Sequence, residues 1–200
     1  MSDAPARHAE VSGDAAPPDF RSVMRRLAGG VSIITAGCGQ DITGMTVTSL
    51  TSLSAEPPRL LVNVNLNASS LPLIRHDRLF GVNILGSDQE EAAARFSSRL
   101  KGAQRFEGLT WFRRPSGLPL LAGSLATIEC RVDEIIERYS HAVIIGELLH
   151  TSLSPDLSAL AYWDGGYVPI ARDHDLGRAA DVGLPLRGGA AGSGKRPLLP

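Results

Sequence analysis

The sequence predicts a single, mainly β domain: an antiparallel barrel that carries a few short helices. Its 200 residues, 43% of them apolar, suffice for one hydrophobic core of ordinary size. Strand-like segments outnumber helical ones, and the last third of the domain is almost entirely strand-like. Helices and strands do not alternate in βαβ order, which argues against a parallel sheet. Closing so many strands into a barrel would leave no exposed sheet edges.

Composition places the domain at residues 19–170. Residues 1–18 contain no aromatic side chain and are rich in Ala, Pro and Asp. Residues 171–200 also lack aromatics and are rich in Gly and Pro. Such segments bury too little apolar surface to offset the entropy of ordering, so we expect a flexible N-terminal arm and a flexible C-terminal tail.

The domain is predicted to begin with a helix and a hairpin. Asp19 can cap a helix that ends at Gly29-Gly30 and packs one apolar face inward, consisting of Phe20, Val23, Met24 and Leu27. Two strand-like segments follow, VSIIT and ITGMTVTSLTSLS, separated by the turn GCGQD. The second segment is closed by Glu56-Pro57-Pro58.

The remaining elements are mostly strands. Residues 59–65 alternate between an apolar side and a side that carries Asn63 and Asn65, as a strand with two different faces should. SLPLIRH is predicted as a short helix and LFGVNIL as a strand. The segment from Ser87 to Glu90 has the spacing of a capping box for a helix ending near Ser97. Four further segments are predicted as strands: SLATIECRVDEIIER, HAVIIGELLH, LAYWD and YVPI.

Charge and cysteine content exclude several classes of function. The chain has 20 Lys and Arg residues and 21 Asp and Glu residues, so there is no excess of positive charge to bind nucleic acid or an anionic membrane surface. No apolar stretch approaches the roughly 20 residues that span a bilayer. The N-terminus lacks the apolar segment of a secretory signal, which predicts a cytoplasmic protein. Cys38 and Cys130 lie far apart, so we expect both to be reduced and structural.

The sequence lacks the usual signatures of side-chain catalysis. It contains no Walker loop, GxSxG elbow, HExxH or CxxC motif. The segment Gly37-Cys38-Gly39 resembles a fragment of a dinucleotide fingerprint, but a hairpin turn explains it better. The five histidines are scattered without the spacing of metal ligands. We therefore predict no catalytic side chain and no metal site.

Two clusters of polar side chains are the features that point to a ligand. Hydroxyl groups crowd the first cluster, which comprises Thr43, Thr46, Thr48, Ser49, Thr51, Ser52 and Ser54. They are suited to a polyol and a phosphate, although the strand propensity of threonine also accounts for them. The second cluster contains Asn65, Asn67, Ser69 and Ser70, and it leads into a helix whose N-terminus favours an anion, although an N-cap and turn would look the same. A hairpin joins the clusters, so both can converge on one ligand.

An ordered series of segments between residues 20 and 167 carries a family resemblance: FRSVMRRLAGGVSIIT, GMTVTSLTSLSAEPPRLLVNVN, FGVNIL, ARFSS, RFEGLTW, GLPLLAGSLATIEC, HAVIIGELL and LAYWDGGY. The series resembles the flavin reductase-like family, the NAD(P)H:flavin oxidoreductase components of two-component monooxygenases. It implies a split β-barrel of the FMN-binding kind, a Greek-key barrel that forms a homodimer and holds FMN or FAD.

The resemblance also assigns roles by position. It places Met45, Thr46, Val47, Thr48 and Ser49 along the flavin's ring and ribityl chain. Asn65, Ser69 and Ser70 correspond to residues near the ribityl group and phosphate, Arg105 to a basic position facing the phosphate, and Arg95 and Phe96 to positions near the ring. The family commonly has Gly-Asp-His, with a histidine associated with the nicotinamide nucleotide, where this chain has Tyr139-Ser140-His141.

The implied activity is hydride transfer from NADH or NADPH to FMN or FAD, which needs no side-chain nucleophile because the cofactors carry the chemistry. Reduced flavin would then pass to a monooxygenase component. Two alternatives stay open. In one, the flavin remains bound and the protein itself reduces or oxygenates an organic substrate. In the other, the protein is a flavin carrier without enzymatic activity.

Overall fold

The structure is a computed structural model that describes residues 19–171. The predicted arm, residues 1–18, and the predicted tail beyond residue 171 lie outside the described residues. Three short α-helices occur: α1 (Phe20–Met24), α2 (Ser70–Asp77) and α3 (Glu90–Ser97), together with a 3₁₀ helix at Gly102–Phe106. None of the helices in this part of the chain is long and apolar enough to cross a membrane.

Strands make up most of the described residues, which confirms a mainly β fold with few helices. Their bounds are β1 (Gly29–Gly30), β2 (Ser32–Cys38), β3 (Asp41–Val47), β4 (Thr51–Ala55), β5 (Pro58–Asn65), β6 (Leu79–Ile84), β7 (Trp111–Arg113), β8 (Pro119–Leu121), β9 (Ala126–Arg138), β10 (His141–Leu153), β11 (Ala159–Trp163) and β12 (Gly166–Ile170). Seven of them form one sheet in the order β3-β2-β6-β9-β10-β5-β4. Smaller sheets contain β1-β11-β12 and β7-β8, and every paired neighbour is antiparallel.

The seven-stranded sheet must curl, because its two edge strands are joined by only three residues, 48–50. A flat sheet of seven strands would hold its edges about 29 Å apart. The four Cα steps from Val47 to Thr51 span at most about 14 Å. Among the described residues no ladder pairs β3 with β4, so the expected closed barrel is not formed and the sheet stays open between these two strands.

Two hydrophobic clusters lie on opposite faces of this sheet. The larger cluster fills the concave side and includes Ile34, Val62, Phe80, Val82 and Ile144. The smaller cluster packs α3 and the 3₁₀ helix against the outer side and includes Val31, Ile33, Ile42, Phe96 and Phe106. Strict alternation explains the division, because Ile33 and Ile34 on β2 point to opposite faces. Strand β5 shows the alternation predicted from the sequence, with Leu60, Val62 and Val64 buried.

The predicted hairpin is confirmed, but its second strand is shorter than expected. Strands β2 and β3 pair from Ser32↔Val47 to Cys38↔Asp41. Gly37 has φ +88°, and a Cβ there would lie 1.9 Å from the carbonyl oxygen of Asp41, so only glycine fits. The Thr/Ser-rich stretch is not one strand: it leaves the ladder after Val47 and resumes at Thr51, where β4 pairs with β5.

The predicted helix ends were wrong in two places. Helix α1 ends at Met24, well before Gly29-Gly30, which form β1, and no residue of α1 is buried. The residue N-terminal to α3 is Gln89, which makes no side-chain cap hydrogen bond, so the capping box does not form. Instead, the Gln89 amide accepts from the Gly86 N–H and donates to the Ala122 carbonyl. Gln89 thus takes the N-cap position in place of the predicted Ser87, and its side chain links two loops instead of capping the helix.

Both cysteines are free, as expected, but they differ in environment. Cys130 is buried, and burial together with the neighbouring Glu129 carboxylate raises the pKa of its thiol to about 12. Cys38 is exposed at the hairpin end of β2, so it has no structural role in the core.

Candidate functional site

The opening between β3 and β4 exposes backbone donors. The chain leaves the ladder at Thr48, Ser49 and Leu50, and within residues 19–171 their N–H groups donate to no backbone carbonyl. The Ser49 hydroxyl takes the place of the ladder, because it donates to the Asn63 carbonyl at 3.0 Å and accepts from the Asn63 N–H at 3.2 Å. This patch of unpaired backbone N–H groups can donate to the polar edge of a ligand.

A cleft of about 230 Å³ lies beside this patch. Its lining residues come from the end of β3, the end of α3 and the β11–β12 hairpin: Val31, Thr46, Val47, Thr48, Ser97, Tyr162 and Tyr167. Tyr162 and Tyr167 are register partners, and their rings meet edge to face with centroids 5.4 Å apart. Aromatic rings opposite hydroxyls and free N–H groups can hold a flat heteroaromatic ring and bind its heteroatoms.

Strand β3 contains three of the five residues predicted in the segment 45–49, and it divides them between its two faces. Met45 and Val47 pack against the larger cluster, and Thr46 lies on the other face, where its hydroxyl donates to the Ala93 carbonyl at 2.6 Å. Thr48 is exposed in the cleft. The Thr46 bond ties β3 to α3, so it helps to set the width of the cleft.

The second predicted cluster lies next to β3 but outside the lining of the cleft. The Ser69 hydroxyl is 3.4 Å from that of Thr43, and the buried Ser70 hydroxyl donates to the Met45 sulfur at 3.4 Å. Asn65 accepts from the Asn67 N–H at 2.9 Å through its side chain, which shapes the turn into α2. The two clusters therefore meet across β3, by contacts between the protein's own side chains.

His141 begins β10 and lies directly opposite Asn65 of β5. The backbone continues this pairing, since the Leu66 N–H donates to the Ser140 carbonyl at 3.0 Å. The Ser140 hydroxyl lies 2.9 Å from Nδ1 of His141. Tyr139 occupies the hairpin tip with φ 54°, a left-handed conformation that glycine adopts without strain. The structure thus brings together two predicted residues that are 76 positions apart in sequence.

Arg95, Phe96 and Arg105 lie behind the cleft. Arg105 donates to the carbonyls of Phe96, Ser98 and Leu100, and partial burial lowers the pKa of its guanidinium. Arg95 donates to the carbonyls of Gln104 and Arg105. Phe96 is 1% exposed and packs edge to face on Phe106 at 4.9 Å. These contacts hold the end of α3, which carries Ser97 into the cleft.

The tyrosine pair was missed as a candidate. Its signal is present in LAYWDGGY, where the two tyrosines each lie one residue outside the pair that flanks a two-residue turn, so they become partners once the hairpin forms. Ser97 and Val31 carry no such signal, because only the packing of α3 and β1 brings them to the cleft. Among residues 19–171, no three His, Cys, Asp or Glu side chains gather as metal ligands would.

Comparison with known proteins gives a consistent set of relatives. Residues 24–171 match the family model described as "Flavin reductase like domain". An NADH-dependent FAD reductase of Streptomyces globisporus is 34% identical over 175 residues, covering 82% of this chain and 93% of the relative. The reductase subunit HsaB of a flavin-dependent monooxygenase from Rhodococcus jostii is 33% identical over 171 residues, covering 82% and 87%. The solved structure of the Streptomyces globisporus NADH:FAD oxidoreductase in complex with NAD and FAD fragments superposes with a TM-score of 0.73 at 28% identity, covering 80% of this chain and 99% of that one.

Proposed function

Because the chain belongs to the flavin reductase-like family, we propose that it is an NAD(P)H:flavin oxidoreductase that reduces FMN or FAD and supplies reduced flavin to a partner monooxygenase. The observation that carries the proposal is the cleft at the opening of the sheet, which is lined by Thr48 and the tyrosine pair and lies beside the unpaired N–H groups of residues 48–50. Relatives named as NADH-dependent reductases and as reductase subunits of monooxygenases support NADH as donor and an oxygenase as partner.

The donor set of the cleft fits a flavin. A flavin bound there would supply the hydride acceptor, and a nicotinamide would supply the hydride. The unpaired N–H groups of residues 48–50 would donate to heteroatoms on the polar edge of the ring and stabilise negative charge there. Tyr162 and Tyr167 would cover the apolar part of the ring and exclude water from it. The Thr48 hydroxyl, exposed in the cleft, would bind the ribityl chain.

The remaining predicted residues fall into two groups: residues that contact the ligands, and supports, which are residues that hold the site in place through contacts within the protein. We assign His141 and Asn65, which lie opposite each other on neighbouring strands, to the nicotinamide nucleotide and the ribityl chain. Ser69, on the exposed turn before α2, is assigned to the phosphate. Ser70, Phe96, Arg95 and Arg105 are supports, because their polar groups or rings already contact the protein.

The fold fits a split β-barrel. Joining the sheet across the opening would place β2, β3, β4 and β5 consecutively, with β10, β9 and β6 returning to β2, which is a Greek key. We also propose a homodimer, since a second subunit would cover the open side of the cleft and the large apolar side chains left exposed, among them Leu153, Leu157 and Trp163. Two free cysteines support a reducing compartment, the cytoplasm.

The decisive experiment measures the oxidation of NADH and NADPH in air by the purified full chain, with FMN, FAD or no flavin added. We expect oxidation that requires flavin and is faster with NADH. Oxidation that proceeds at full rate in flavin-free protein would refute the proposal. Flavin binding without any oxidation would instead indicate a carrier.

The role of His141 has its own test. Replacing it with alanine should raise KM for NADH several-fold while the dissociation constant for flavin stays within twofold, because the two ligands contact different parts of the site. His150→Ala is the matched control, since His150 is an exposed histidine on the same strand. Equal effects of both substitutions on KM, or none, would remove His141 from the nucleotide site.

A further inference from the structure

A second cleft, of about 390 Å³, lies beside the first. It is formed by α1, the segment after it and the tip of the β11–β12 hairpin, and its lining residues are Phe20, Arg21, Met24, Arg25, Leu27, Gly29, Thr48, Tyr162, Asp164 and Gly165. Thr48 and Tyr162 line both clefts. The two clefts therefore adjoin at Thr48 and Tyr162, within the reach of one extended ligand.

The exposed apolar face of α1 lines the second cleft. Phe20 is 75% exposed and Leu27 65%, so no element within residues 19–171 covers the face that the sequence predicts to be buried. Yet the segment is held in place, because the Asp164 N–H donates to the Arg25 carbonyl at 3.1 Å. The Arg25 guanidinium packs near Gly165, with its carbon 3.8 Å from the position of a Cβ there. An apolar face fixed in this way forms the wall of a binding surface.

The charge of this cleft is positive. Arg21 and Arg25 line it, and among the described residues no carboxylate oxygen lies within 4.0 Å of either guanidinium. Asp164 is the acidic residue in the lining. Two guanidinium groups can bind a diphosphate, and an exposed phenyl ring can stack on a purine. One carboxylate can accept hydrogen bonds from the hydroxyls of a ribose.

We propose that the second cleft binds the adenosine diphosphate half of a dinucleotide whose other ring occupies the first cleft. Arg21 and Arg25 bind the diphosphate, Phe20 stacks on the adenine, and Asp164 accepts hydrogen bonds from the ribose. The inference rests on the proposed function for the identity of the first ring. Two dinucleotides carry this group, FAD and NADH, and the experiment separates them.

The test compares the Arg21→Gln/Arg25→Gln double variant of the full chain with the wild type. Dissociation constants for FAD, FMN and ADP are measured by calorimetry, and KM for NADH is measured with saturating FMN. Arg26→Gln is the matched control, because Arg26 carries the same charge on the same segment but does not line the cleft. Phe20→Ala is a second variant that leaves the charge unchanged.

If FAD fills both clefts, the double variant loses at least tenfold in affinity for FAD and for ADP, while its affinity for FMN changes less than twofold. If NADH fills the second cleft, ADP affinity falls and KM for NADH rises by a similar factor, while the ratio of FAD to FMN affinity is unchanged. Phe20→Ala should weaken the same ligand several-fold.

The proposal is overturned if ADP affinity, the FAD to FMN ratio and KM for NADH are all unchanged in the double variant, or if Arg26→Gln reproduces its losses. The measurement of ADP affinity needs neither flavin nor turnover. It can therefore support the second cleft as an ADP site even if the protein does not reduce flavin. Conversely, a protein that reduces FMN but shows none of these losses retains its proposed function without this second site.

Discussion

Replacing Gly44 with alanine tests how α3 is held against β3 behind the cleft. A Cβ on Gly44 would lie 2.6 Å from the carbonyl oxygen of Ile34 and 2.6 Å from Cε1 of Phe96. The carbonyl belongs to the neighbouring strand β2, and the Phe96 ring is 1% exposed. Neither group can retreat without disturbing the ladder or the contact with Phe106.

The cost follows from this crowding. Inserting one methyl group into a packed region that cannot relax costs about 1–3 kcal/mol. For a domain of this size each kcal/mol lowers Tm by about 2–4 °C, so Tm should fall by about 2–12 °C. Gly44 and Thr46 lie on the same face of β3, and Thr48 follows directly after the strand, so a displaced strand also moves both threonines. Flavin affinity should therefore fall together with stability.

Urea unfolding followed by circular dichroism measures the first effect, and flavin titration measures the second. Gly30→Ala is the control, because a Cβ there meets no atom within 4 Å. We expect the control to unfold within about 0.5 kcal/mol of the wild type, as surface substitutions do. If Gly44→Ala is as stable as Gly30→Ala and binds flavin normally, α3 does not pack on β3 in the way described.

Three further predictions concern single side chains. Thr48→Ala should weaken flavin binding by about 0.5–1.5 kcal/mol without changing Tm, because it removes one hydroxyl from the cleft. Ser70→Ala should leave flavin affinity unchanged, because the Ser70 hydroxyl is bound to Met45. If flavin titrations show the opposite pattern, Ser70 contacts the flavin and Thr48 does not. Tyr139→Gly should raise stability by about 0.5–1 kcal/mol in urea unfolding, because it removes the strain of φ 54° at a small entropic cost, and a loss of stability would contradict this account. Burial raises the pKa of Cys130 to about 12 from the ordinary value of 9.0, so the stability contributed by its neutral thiol should be lost as pH rises from 9 toward 12. Cys130→Ala should make the fall of stability across this range shallower in unfolding curves, and an equally steep fall would contradict this account.

Local sequence determined the elements whose pattern depends on neighbouring residues alone. The alternation of residues 59–65 predicts β5 and its buried face, and the glycines of GCGQD predict the β2–β3 turn. Helix α2 follows SLPLIRH within a residue or two. These features need no distant contact, since a strand has a period of two and a left-handed turn position selects glycine.

The site depended on contacts that no local pattern contains. The break at residues 48–50 exists because β3 and β4 pair with different strands on opposite edges of the curled sheet. Ser97 and the tyrosine pair reach the cleft only through the packing of α3 and the β11–β12 hairpin around it. Arg105 and Phe96, which the resemblance predicts near the ligand, hold the end of α3 through contacts between distant segments.

Helix α1 shows most clearly what the local sequence pattern does not determine. Its spacing of apolar residues predicted one buried face, and the sequence determined that this face exists. Whether such a face meets a core, a ligand or solvent depends on what the rest of the chain places beside it. The tertiary structure leaves it lining a cleft with two arginines, because the β11–β12 hairpin holds the segment at the surface by a backbone hydrogen bond instead of drawing it into either hydrophobic cluster.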